Sequence, residues 1–270
     1  VVDSADLPLN ISREILQQDR HIFQMRRWIT GKLLKTFRDM QKESYQDYLT
    51  LWKAFGRILK EGISADQDNK ERISKLLLFE SSHDKEELTT LAAYVDHMKE
   101  GQDEIYYITG DSRDILEQSP HIEAFLDKGY EVLYLTDPID EIMVQALTEF
   151  DGKPLRSVVK GQVDLGTKEE QEQSKESLET KKKEMEPLLE ALKKHLAEDV
   201  KEVRLSSRLT TSPACLVSEE HDISPHLERL LRANRYHMPA QKRILELNGE
   251  HEIVFRLHKR FQQDGADELV

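Results

Sequence analysis

At 270 residues the chain is long enough for about two domains with substantial cores. Its 52 Asp and Glu against 39 Lys and Arg give a formal charge of −13, which argues against nucleic acid as the main partner, because counterion release needs clustered cations. A single cysteine, Cys215, excludes an internal disulfide framework and a cysteine-rich zinc site and fits a reducing compartment, with the cytoplasm as the default. No apolar run is long enough to span a membrane, and the first residues carry neither the basic region nor the apolar block of a signal peptide.

The opening stretch, residues 1–18, contains a side chain that local physics disfavours. Leu7 before Pro8 is pushed toward extended backbone, and Asn10 and Ser12 are both good N-caps, so a helix is expected from about Arg13. A cation in the first turn opposes the helix dipole by roughly 0.3–1 kcal/mol when exposed, and Glu14 offsets this only in part. Two readings are open. Arg13 and Gln17, one turn apart on one face, can hold a phosphate together with the free N–H groups, or Arg13 is solvated beside Asp6 or Glu14.

Apolar residues Ile15, Ile22, Ile29, Leu33, Phe37 and Met40 continue as a helical stripe. A second helix follows from Ser44, with Tyr45, Tyr48, Trp52, Phe55 and Leu59 as an aromatic core face and an end near Gly62. Asp68 or Asn69 caps a third through Ile73, Leu76 and Leu77. Asp84 with Glu87 is a capping-box-like start to a fourth, burying Leu88, Leu91, Val95 and Met98. Residues 13–100 are thus expected to be mainly helical.

The pattern then changes to strand IYYIT, helix 113–127, strand YEVLYLT, helix 139–149 and strand KPLRSVV, which predicts a small parallel three-layer α/β/α sandwich. Asp111 and Asp137 fall where its first two strands end, the edge at which such sheets bind ligands, and two carboxylates there can hold Mg²⁺ or act on a phosphate. The plainer reading makes Asp111 a turn residue or cap and Asp137-Pro138 the entry to a helix. No glycine-rich phosphate loop or basic partner accompanies them in the sequence.

Residues 161–184 turn sharply polar and read as a linker running into a solvated helix. An apolar stripe returns at Met185, Leu188, Leu189, Leu192 and Leu196, where that helix docks. VKEVRLSSRL alternates as a strand through Val203, Leu205 and Leu209, SPACLVS is its expected partner, and Cys215 within it has a packing role. Ser224-Pro225 starts a short amphipathic helix with Leu227, Leu230 and Leu231 along one side and Met238 just beyond. The histidines, including His221, His226, His237, His251 and His258, show no ligand spacing, so no metal is assigned. In HEIVFRLHKRF, Ile253, Leu257 and Phe261 share a helix face.

DLPLNISRE with the Gln-Gln that follows, LTTLAAYVDHM, IYYITGDS, EVLYLTDPIDE, FDGKPLRSV, TTSPACLVSEE and ILELN occur in this order along the chain. Together they make it resemble the heat-shock protein 90 family of ATP-dependent chaperones, bacterial type, over essentially all 270 residues. The resemblance implies the later middle domain over 1–160, a charged linker and helix start over 161–184, and a C-terminal domain over 185–270. The fold class is then α+β or α/β: a helical segment, the sandwich, and a separate mixed C-terminal domain. By resemblance Arg13 corresponds to the arginine that contacts the γ-phosphate, Gln17 to its partner on the loop, and Asn10 to the family's asparagine there.

ATP and Mg would belong to the parent protein's N-terminal ATPase domain, with no cofactor and no useful ATPase activity in this piece alone. Client proteins would meet Leu227, Leu230, Leu231 and Met238, while Ile142 stands where members of the bacterial type can carry an aromatic client contact. The resemblance begins mid-domain, so the chain is expected to be an excised piece. Family members continue into further helices that form the dimer interface, which argues against constitutive dimerisation of this one; Gly249 also stands where a proline is common after ILELN. Two other readings remain: an ATP-independent module that holds apolar peptides, and a Mg²⁺- or phosphate-dependent enzyme built on Asp111 and Asp137.

Overall fold

The computed structural model describes residues 20–236 and 241–264. Asn10, Arg13, Gln17 and Met238 therefore lie outside the described residues. The first elements are α1 (Arg20–Glu43) and α2 (Tyr45–Ala65), separated at Ser44. On α1 the buried side chain is Leu34 and its neighbour Leu33 faces water. On α2 the expected aromatic core face is only half right. Tyr48 and Leu59 are buried and Trp52 packs beside them, but Tyr45 and Phe55 are exposed, and the helix runs past Gly62 to bury Ile63. A 3-10 turn capped by Asp66 leads into the short α3 (Lys70–Ser74), so Leu76 and Leu77 lie beyond the helix that the sequence extended through them.

Residues 75–90 depart from the helical expectation. Glu80–Ser81 form β1, Phe79 bridges to Thr89, and the Asp84 side chain accepts from the amides of Glu86 and Glu87 in a bend. The helix expected from Asp84 starts instead as α4 (Leu91–His97), where the Thr90 hydroxyl accepts from the Ala93 amide at 3.0 Å. Asp84 satisfies the same local requirement as an N-cap, without a helix behind it.

The strands β2 (Ile105–Thr109), β3 (Val132–Leu135) and β5 (Lys153–Ser157) form the parallel centre of a five-stranded sheet in the order β1-β3-β2-β5-β4, with β4 (Glu149–Phe150). β1 and β4 are antiparallel edges. Both faces are covered, as parallel pairing requires. Ile105, Leu133 and Leu135 point into one core with α2 and α4, while Tyr106, Ile108, Val132 and Tyr134 point into a second core with Leu116 and Phe125. The N-terminal helices are thus one layer of the sandwich. The helix expected over 113–127 is broken at Ser119-Pro120 into α5 (Arg113–Glu117), a 3-10 turn and α6 (Glu123–Asp127), and the next is the short α7 (Asp140–Ala146).

The long α8 (Lys168–His195) opens with a capping box between Thr167 and Glu170 and buries Met185, Leu188 and Leu189 against a second sheet. That sheet contains β6 (Val200–Leu205), β7 (Ala214–Val217) and β8 (Arg243–Leu247) in the order β6-β8-β7. The SPACLVS strand is therefore not the direct partner of β6. β8, the ILELN segment, inserts between them, parallel to β6 and antiparallel to β7. Between β7 and β8 lies α9 (Pro225–Ala233), and the last element among the described residues is α10 (Glu252–Asp264), on which Val254, Leu257 and Phe261 face the core and Ile253 faces water.

Candidate functional site

Helix α9 carries the leucines that the sequence put forward, but its most buried side chains are polar. The Ser224 hydroxyl accepts from the Leu227 amide at 2.9 Å and Pro225 fills the first helical position, where a missing N–H costs nothing. The buried side chains of the helix are His226 and Glu228, whereas Leu227, Leu230 and Leu231 are half buried and Arg229 and Arg232 are exposed. His226 and Glu228, two residues apart, anchor the helix on opposite sides.

Its partners come from the first sheet's surroundings. Glu141 on α7 is buried; its Oε1 accepts from the Ser224 hydroxyl at 2.6 Å and lies 3.1 Å from His226 Nδ1. The other ring nitrogen of His226 is 3.3 Å from Asp111, and Arg229 Nη1 donates to the same carboxylate at 2.8 Å. Burial works to raise the Glu141 carboxyl, but hydrogen bonds from His226 and Ser224 outweigh it and hold it below its usual value. On the far side Glu228 joins Arg243 on β8 and Arg232 on its own helix. Ile142 follows Glu141 on α7 and is 50% exposed, so the residue that anchors α9 sits beside an uncovered apolar side chain. Half-exposed leucines and an exposed isoleucine held on a polar scaffold suit reversible apolar contact.

The two carboxylates proposed for Mg²⁺ or phosphate chemistry each meet a cation from distant sequence. Asp111 pairs with Arg229 and also faces the His226 ring, and Asp137 Oδ2 lies 2.8 Å from Lys60 Nζ. Lys60 is buried and also reaches Asp140, which is wholly buried and follows Asp137 in the chain. Burial raises the Asp140 carboxyl and Lys60 works against that rise. Sequence reasoning found no basic partner for these aspartates because Lys60 and Arg229 are far away along the chain. It also missed Glu141 and His226, because periodicity places residues on a common face without saying which face turns inward. Cys215, by contrast, sits as expected, buried with Leu209, Val217 and Ile244, its thiol pushed up to about 12 by burial.

The family model for the Hsp90 protein matches residues 1–270 of the chain. The chain belongs to the Hsp90 family. Among curated Hsp90-family relatives it is similar to the chaperone protein HtpG of Frankia casuarinae, 53% identical over 264 residues, covering 98% of this chain and 41% of the relative. HtpG of Mycobacterium avium is 53% identical over 268 residues, at 99% and 41% coverage. HtpG of Streptomyces coelicolor is 51% identical over 270 residues, at 99% and 42%. The chain thus spans about two-fifths of the length of these chaperones. In this Hsp90-family chain no helix among the described residues is long and apolar enough to cross a membrane.

Proposed function

We propose that the chain is the part of an ATP-dependent chaperone that joins a catalytic loop to a client-binding surface. The observation that carries the client half is the anchoring of α9 through His226 and Glu228, which keeps Leu227, Leu230 and Leu231 only half buried. With the exposed Ile142 these residues offer an apolar surface suited to unfolded or partly folded proteins, and Met238, which lies outside the described residues, is a further client contact by its type. The family relationship supports this reading, since the similar curated proteins are named as chaperones.

The catalytic half rests on the sequence of the opening loop. Arg13, with Gln17 and Asn10, reaches ATP and Mg²⁺ on an N-terminal domain of the full protein and stabilises charge developing on the transferred phosphate. Loss of one preorganised donor of this kind costs roughly 2.7–4 kcal/mol, about 100- to 1,000-fold in rate. Residues 1–160 act as the later middle domain and 185–270 as part of the C-terminal domain, joined through 161–184. The full protein works in the cytoplasm as a homodimer, and the chain alone turns over no ATP.

The test is ATP turnover by the chain rejoined to its nucleotide-binding region, with Arg13→Ala and Gln17→Ala compared to wild type. A fall of about 100-fold or more with nucleotide affinity retained supports the catalytic arm. Unchanged turnover would leave an ATP-independent apolar binder as the better account. In that case the double variant Leu230→Ser, Leu231→Ser would still weaken capture of an unfolded protein.

A further inference from the structure

We propose that His83, His97 and Glu131 form a binding site for a divalent transition-metal ion of the zinc class. His97 ends α4, while His83 follows β1 and Glu131 precedes β3, and one ligand atom from each falls within 4.8 Å of the others. His97 Nδ1 is 3.0 Å from Glu131 Oε2, and the His83 and His97 rings stack with centroids 4.1 Å apart. They line a cleft that also contains Asp96 and is open to water on the histidine side.

A second observation points to a cation. Glu131 is 6% exposed, and its other carboxylate oxygen, Oε1, is buried without a hydrogen-bond partner. Buried acceptors are almost always satisfied, and one that lacks a donor beside two imidazoles is explained by an ion that takes its place. Two imidazole nitrogens with one carboxylate oxygen are a donor set for zinc and its neighbours, with water completing the shell.

The frame holding these groups is rigid where a site needs rigidity. The Tyr94 hydroxyl, one turn before His97, donates to the Glu131 carbonyl at 2.6 Å and accepts from the Tyr106 amide at 2.9 Å, which fixes α4 against the start of β3. The Ser82 amide donates to the Val132 carbonyl and the Val132 amide to the Ser82 hydroxyl, both at 2.9 Å, so His83 emerges beside Glu131. Tetrahedral zinc places its ligand atoms roughly 3.3 Å apart. The contraction this requires falls on the two exposed histidine rings, His83 above all, since His97 Nδ1 already lies against Glu131. A bound ion would staple the β1 edge, the end of α4 and the start of β3.

The experiment is titration of the chelator-stripped chain with Zn²⁺ alone by calorimetry, and with Co²⁺ alone by visible absorption, alongside His83→Ala, His97→Ala and the double variant His221→Ala, His251→Ala. The expected result is one tight equivalent per chain, an intense four-coordinate Co²⁺ band, and a rise in Tm with Zn²⁺. Either site variant should weaken binding about tenfold or more and abolish the Tm rise, while the double control changes neither. His83 is exposed, so its variant keeps the fold. Absence of a saturable equivalent, or binding that survives both His83→Ala and His97→Ala, would overturn the proposal and mark the ions as adventitious.

Discussion

Arg208 and Glu246 form a buried ion pair, Nε to Oε2 at 2.9 Å, that fastens the second sheet's end of the molecule to the first. Arg208 is fully enclosed, and its two remaining nitrogens donate to the carbonyls of Val158 and Gly161, just past β5. Glu246 on β8 in turn accepts from Arg204 and from the Ser206 hydroxyl. A buried guanidinium is tolerable only with its charge and donors matched, and here the charge faces Glu246 and each of the three nitrogens has an acceptor.

Arg208→Met should therefore destabilise the chain by about 3–5 kcal/mol, because two carbonyls lose their donor and Glu246 loses a cation. Arg204 remains to Glu246, which places the cost toward the lower end. Chemical denaturation followed by circular dichroism checks this, and a midpoint within error of wild type would refute it.

Glu123 on α6 provides a pH-dependent clasp across the same junction. Burial works to raise its carboxyl, but the Ser212 hydroxyl and the amides of Thr211, Thr210 and Ser212 outweigh it and lower the carboxyl to about 2. A carboxyl depressed on folding contributes stability that is present above its unfolded value, near 4.5, and is lost as pH falls through about 2. Glu123→Gln should be less stable than wild type at pH 7, with the gap closing as pH drops from about 4.5 toward 2. Thermal melts across that range read it directly.

Lys60→Met removes the cation facing Asp140, which is wholly buried. The loss is expected to be about 3–5 kcal/mol near neutrality. With Lys60 gone only the Asp137 amide still opposes burial, so Asp140 favours its protonated form in the fold more strongly still. A carboxyl raised on folding gives stability that is lost as pH rises, so this variant should be worse at pH 8 than at pH 5. Melting temperatures at the two values, each set against wild type, decide the point.

Glu141→Gln removes the charge that His226 and Ser224 share. Helix α9 should then loosen while the first sheet stays intact, because the sheet is held by its backbone ladder and that carboxylate meets it only at Thr109, the end of β2. Amide hydrogen exchange should quicken over 225–233 and stay slow in β2 and β3. Equal protection in both would show that α9 is held by its leucines after all.

Some of this was legible in one dimension. IYYIT and YEVLYLT announced the parallel centre of the first sheet because strands buried on both faces are nearly apolar throughout, and Ser224-Pro225 announced α9 because capping is a local transaction. The two-residue edges β1 and β4 were not legible, since so short a strand has no periodicity of its own. The capping pattern at Asp84 misled for a related reason: a side chain accepting two amides looks the same at a bend as at a helix start.

The sequence by itself determined the family, the class of fold and the amphipathic character of α9, because each of these is written in order and spacing. Tertiary structure alone decided that α9 is anchored through His226 and Glu228, that β8 separates β6 from β7, and that Asp111 and Asp137 are held by Arg229 and Lys60. Those outcomes depend on which distant groups meet, and a buried charge takes whichever partner the fold delivers to it.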